Sequence, residues 1–144
     1  MHGGTRSPLT ALLLAAGFML PSLPAVTALP NLRIQTLGDS ITKGSKSSDG
    51  AGYRSRLRNK LTTNSDISVD MVGSLQDGHM ADNNHEGHSG EFLAEIANYW
   101  QLSIKARPNV VLVHAGSNNM DYGRDIALAP YYMESIIDGI FDKV

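Results

Sequence analysis

The sequence predicts an α/β protein in which helices cover a parallel sheet. Two observations carry this. Short strand-like apolar runs alternate with longer segments whose apolar residues recur every three or four positions, in the order β-α-β-α-β-α. Polar, glycine-rich stretches follow each strand-like run, at the carboxyl edge where open α/β sheets bind ligands.

The elements follow in order. Arg33 to Leu37 (RIQTL) is the first strand, ended by Gly38. Tyr53, Leu57 and Leu61 stand four apart and predict a helix over 53–61. Ile67, Val69 and Met71 alternate with polar neighbours ahead of Val72 and Gly73, which predicts a second strand. Residues 73–90 are rich in Gly, Asp, Asn, His and Ser and read as a loop. Phe92, Ile96, Tyr99 and Trp100 mark one side of a helix over 92–104, and Tyr99 and Trp100 read as core rather than as a sugar platform. The run VVLVHA at 110–115 is typical of a strand buried on both faces, which makes His114 a packed, hydrogen-bonded side chain. Residues 116–123 read as loop again. Pro130, with Tyr132, Ile136, Ile137 and Ile140 at helical spacing, predicts a last helix to Phe141. Three strands make a small sheet, and the third would have an open edge. The expectation is an N-terminal portion of a larger domain.

Composition narrows the class. Hydrophobic residues are 42% and charged residues 18% of the 144, an ordinary globular balance. The net charge of −2 supplies no basic surplus for phosphates, so nucleic acid is not an expected partner. Cysteine is absent, which excludes disulfides and thiolate chemistry. Residues 1–28 have the parts of a secretory leader: Arg6 near the start, an apolar stretch from Leu9 to Leu20, Pro21 and Pro24, then small residues at Val26-Thr27-Ala28. The apolar run is shorter than the roughly 20 residues that span a bilayer, so stable membrane association is not expected. The mature domain is expected over 29–144, outside the cell.

Three loops carry candidate chemistry: Gly38-Asp39-Ser40-Ile41-Thr42, Asp82-Asn83-Asn84-His85-Glu86-Gly87-His88-Ser89-Gly90, and Gly116-Ser117-Asn118-Asn119. A serine hydroxyl on a tight turn can attack an ester carbonyl, while a glycine N–H and an asparagine amide hold the oxyanion. Each loop alone reads as an ordinary turn. Together, at one sheet edge, they suit ester cleavage. His79, Asp82, His85 and His88 recur every three residues, but no regular element fixes them, so a metal is not expected.

These blocks resemble the SGNH (GDSL-type) hydrolases. Leu37 to Thr42 resembles their first block, Gly87 their second-block glycine and Asn118 their third-block asparagine. Val69 to Ser74, followed by residues 82–90, is similar to the carbohydrate esterase family 3 branch, the acetyl xylan esterases. The resemblance implies a flavodoxin-like three-layer α/β/α fold with five parallel strands and no cofactor. It implies Ser40 as nucleophile and the Ser40 N–H, the Gly87 N–H and the Asn118 amide as oxyanion donors. Asp39, His85 and His88 are expected as supporting or substrate-contacting residues. The substrate would be an acylated polysaccharide or a small ester. The chain departs from the family at Asn119, where an aspartate is usual, and it carries no late Asp-x-x-His pair after Asn118. Asp82-Asn83-Asn84-His85 has that spacing but lies in the second-block loop. A chain without the pair is expected to be nearly inactive and poorly folded, which leaves a non-catalytic carbohydrate-binding or non-functional truncated product as the alternative.

Overall fold

Strand β1 (Leu32–Gly38) organises the sheet because its neighbours pair with it on both sides. The computed structural model describes residues 31–63 and 67–143, so the predicted leader lies outside the described residues. Strand β2 (Val69–Val72) runs parallel to the first half of β1, with Leu32 opposite Val69 and Gln35 opposite Val72. Strand β5 (Val110–His114) runs parallel to β1 on its other side, from Ile34↔Val110 to Gly38↔His114. Two short strands fall within the predicted 73–90 loop: β3 (Leu75–Gln76) and β4 (Asn84–Gly87). β4 lies antiparallel to β3 and parallel to the end of β1, at Leu37↔Glu86 and Gly38↔Gly87.

The period-2 alternation of β1 and β5 divides the core into two layers. On one face Leu37, with Val111 and Val113, packs against α3 (Leu93–Ser103) and α5 (Ala129–Phe141) through Leu93, Ile96, Trp100, Ile136 and Ile140. On the other face Ile34, Val69 and Met71, with Val110 and Leu112, pack against Leu61 of α2 (Tyr53–Thr63). The arrangement is three-layered α/β/α with a mostly parallel sheet, as expected. Trp100 is core, and Tyr99 packs against the same cluster.

Several expectations need correction. Residues 117–122 form a short helix, α4, rather than loop. The β5 run is only half-buried and His114 is exposed, because among the described residues β1 alone pairs with β5. On α2 the half-buried Leu57 and Leu61 are not the deepest residues; Arg54 is.

Arg54 is fully buried and spends its guanidinium on main-chain carbonyls. Its Nε donates to Thr42 at 2.9 Å, Nη1 to Asn83 at 3.0 Å, and Nη2 to Lys43 at 2.8 Å and Asp77 at 2.9 Å. Burial lowers its pKa, and the carbonyl fork keeps the charge solvated inside the protein. One side chain thus ties α2, the short helix α1 (Ser40–Lys43) and the segment leading into β4. Replacing Arg54 with Met would leave those carbonyls without their donor. We expect a loss of about 3–5 kcal/mol of unfolding free energy, read from urea denaturation.

Candidate active site

The sheet register brings the three loops together. Gly38 pairs with Gly87 on one side and with His114 on the other, so the segments after β1, β4 and β5 all leave the sheet at one level. Asp39 then caps α1: one carboxylate oxygen accepts the Ile41 N–H at 2.9 Å. Its other oxygen accepts the Ser117 hydroxyl, which joins the first loop to the third. Asp39 is fully buried, so it supports the site without touching a substrate. Ser40 opens α1 and is half-buried. Its carbonyl is held by the N–H groups of Gly44 and Ser45.

The second and third loops are joined twice. The Asn118 amide donates to the Glu91 carbonyl at 2.7 Å, and Asn119 accepts the Leu93 N–H at 2.9 Å through its side-chain oxygen. Asn119 is buried and also donates to the Arg124 carbonyl at 2.9 Å. An amide there both accepts and donates, which an aspartate at the same position could not do when ionised. Ser89 reaches the Ser45 hydroxyl at 3.5 Å, just past the C-terminal end of α1.

The expected role of Gly87 does not fit this geometry. Its N–H donates to His85 Nδ1 at 2.8 Å and so is already committed. Gly87 is buried, and a Cβ there would strike the Lys43 backbone. Its smallness serves the close approach of β4 to α1. Gly90 is the open glycine: it has φ of +88°, nothing would crowd a Cβ, and it is exposed beside the Asn118–Glu91 bond. Among the described residues its N–H has no partner, and neither has the Ser40 N–H. Among the described residues the Ser40 and Gly90 N–H groups, and the second N–H of the Asn118 amide, are thus left uncommitted. The positive φ, which glycine tolerates, is a feature that the motif spacing alone does not show.

Comparison with solved structures shows which folds the chain resembles. A Clostridium thermocellum family 3 carbohydrate esterase superposes with a TM-score of 0.68 at 30% identity, over 79% of this chain and 58% of that one. A carbohydrate esterase family 3 structure from Talaromyces cellulolyticus gives 0.57 at 26% identity, over 78% and 58%. The chain has the SGNH-hydrolase fold and resembles the family 3 carbohydrate esterases. An SGNH-hydrolase family esterase at 19% identity shares the fold, with a TM-score of 0.58 over 78% of this chain and 54% of that one. The chain thus spans just over half the length of each of these structures. No protein-family model and no curated protein sequence matches it.

The two histidines of the second loop are structural. His85 is fully buried beneath the loop, so the expectation of substrate contact is corrected to support. Its Nδ1 accepts from Gly87, and its Nε2 faces an Asp77 oxygen at 3.3 Å. Burial, assisted by the charge of Arg54, pushes its pKa down to about 4 against the partial opposition of Asp77. His88 is mostly buried: its ring stacks on Tyr99 at 3.8 Å between centroids, and Nε2 meets Glu86 at 2.9 Å. Glu86 is fully buried. Burial alone would raise its carboxyl, but hydrogen bonds from His88, Ser103 and Ser74 outweigh that and lower it, so it is ionised at neutral pH. Asp82 is occupied by the Met71 N–H and Arg58. Among the described residues no three His, Asp or Glu side chains converge to hold a metal.

His85 predicts a pH dependence of stability. Unfolded, it takes up a proton below about 6.5; folded, it resists protonation until about 4. The folded state therefore binds fewer protons in that window, so stability is full above 6.5 and falls as pH drops toward 4. The expected loss is about 3 kcal/mol. Thermal midpoints measured from pH 7 to 4 should fall, and His85→Gln should flatten that descent.

Proposed function

We propose that this chain carries the nucleophile and oxyanion donors of a secreted serine esterase that removes acetyl groups from a polysaccharide such as xylan. The observation that carries it is the register at Gly38, which starts the segments bearing Ser40, Gly90 and Asn118 from one level of the sheet, where the Asp39–Ser117 and Asn118–Glu91 bonds join them. The likeness to carbohydrate esterases of family 3 supports carbohydrate-borne esters as the substrate class. Secretion rests on the leader pattern of residues 1–28.

In this reading the Ser40 Oγ attacks the acetyl carbonyl carbon. The oxygen that becomes negative is met by the N–H groups of Ser40 and Gly90 and by the Asn118 amide. The sugar alcohol leaves with a proton, giving acetyl-Ser40, and water then releases acetate and restores the serine. Asp39 holds the first turn in place and Ser117 holds Asp39. A second reading has a specific observation behind it. Among the described residues no histidine or carboxylate bonds the Ser40 hydroxyl. The cleft would then bind acylated sugar without cleaving it.

A fluorophosphonate probe separates the two. Mass spectrometry of the treated chain should find the adduct on the Ser40 peptide, and Ser40→Ala should carry none. Asn118→Ala should slow labelling by about 10²-fold, the cost of one oxyanion donor. An unlabelled Ser40, together with binding of acetylated xylo-oligosaccharide that survives Ser40→Ala, favours the binding reading. Acetate released from that oligosaccharide by the wild type alone favours the enzyme.

A further inference from the structure

The motif Glu86-Gly87-His88-Ser89-Gly90 contains two ionisable side chains that the proposed chemistry does not use. Glu86 sits wholly inside the protein, under the turn that carries Gly90. Ser74 satisfies it twice, by its N–H at 2.6 Å and its hydroxyl at 2.9 Å. Ser103 also stabilises it, and His88 Nε2 meets it at 2.9 Å. A buried carboxylate is costly unless its partners are fixed, so this one demands a donor at the His88 position.

His88 is held in three directions. Its ring is clamped against Tyr99, its Nε2 points down to Glu86, and its own N–H donates to the Gly38 carbonyl at 2.8 Å. Gly38 is the end of the strand that delivers Ser40. Two residues beyond His88 comes Gly90, at a φ of +88° that nothing around it enforces sterically. The next residue, Glu91, gives its carbonyl to Asn118. The turn 88–91 is therefore anchored at both ends: on the buried Glu86 through His88, and on the third loop through Asn118. With the Glu86 bond removed, only the main-chain bond to Gly38 and the ring stack would hold His88, and the aim of the Gly90 N–H would loosen.

We propose that Glu86 and His88 act as positioning residues, with the buried Glu86 carboxylate holding His88 so that the following turn aims the Gly90 N–H at the oxyanion position. This rests on the esterase reading above, and it concerns a donor's aim rather than the covalent step. It makes the buried Glu86–His88 pair part of the site's pre-organisation, although neither side chain touches the reacting atoms.

The test uses acetate, the product anion, on the isotope-labelled full chain. Nuclear magnetic resonance follows the Gly90 backbone amide and the Asn118 side-chain amide during titration. In the wild type both should shift along one saturable curve. His88→Phe keeps the stacking area but loses the bond to Glu86; acetate affinity should fall about tenfold and the Gly90 response should shrink while that of Asn118 persists. His88→Gln, which can place an amide donor near the old Nε2 position, should recover most of the loss. Should His88→Phe fail to fold, Glu86→Gln, equal in size and uncharged, carries the same expectation. Wild-type affinity and a full Gly90 response in His88→Phe, or in Glu86→Gln, would overturn the positioning role and leave the oxyanion reading intact. A His88→Gln variant no better than His88→Phe would overturn the role of the Glu86 bond. A wild type in which neither amide responds to acetate would overturn the oxyanion reading and this inference with it.

Discussion

The buried guanidinium of Arg54 is the constraint around which the rest of this structure is arranged. A charge inside a protein must be answered by dipoles, and here the answers come from the carbonyls of Thr42, Lys43, Asp77 and Asn83. Thr42 and Lys43 end the helix that begins with Ser40. Asp77 and Asn83 bracket the irregular segment that feeds β4. These two polar pieces of chain are thereby fixed to α2 and to each other. The same charge lies near His85 and helps keep that ring neutral, and the neutral ring can accept the Gly87 N–H. Fold and site share one electrostatic origin.

The site is built largely from main chain. Asp39, Asn119, Glu86 and His85 are all fully or almost fully buried, and each spends its polar atoms on backbone groups or on a neighbour that does so. Such residues cannot relax toward water, so the loops they fix lose conformational freedom before any ligand arrives. A wet surface of similar composition would give the same hydrogen-bond inventory without the rigidity, because water would compete for every partner. The short α1 helix illustrates the point: four residues are too few for stable helix on propensity alone, and the Asp39 cap and the Arg54 fork supply what the sequence of that helix does not.

Where periodicity is set by apolar burial, the sequence was legible. β1, α3 and α5 show their inward residues directly, and the two core layers follow from them. β4 was not legible, because Asn-His-Glu-Gly has no apolar residue. It is a strand because it lines up beside the end of β1, with buried polar side chains satisfied by residues distant in the chain. β5 looked buried on both faces because its side chains are apolar, yet burial depends on which strands lie beside it. Arg54 carries no local signal at all; it reads as one more cation on a polar helix. The three-loop convergence at Ser40 and Asn118 was readable from order and spacing. The choice between Gly87 and Gly90 was not, since it turns on where a single N–H points and on one positive φ.

The register at Gly38 has a consequence for tolerance to error. Its two neighbours, Gly87 and His114, fix the height at which three separate loops depart. A strand advances about 3.3 Å per residue, slightly more than a hydrogen bond is long. A slip of one residue between β1 and β5 would therefore separate Asp39 from Ser117 and turn every inward side chain of the shifted strand outward. The sheet works here as a vernier: the same ladder that holds the core together sets the alignment of the chemistry, with less than one residue of play.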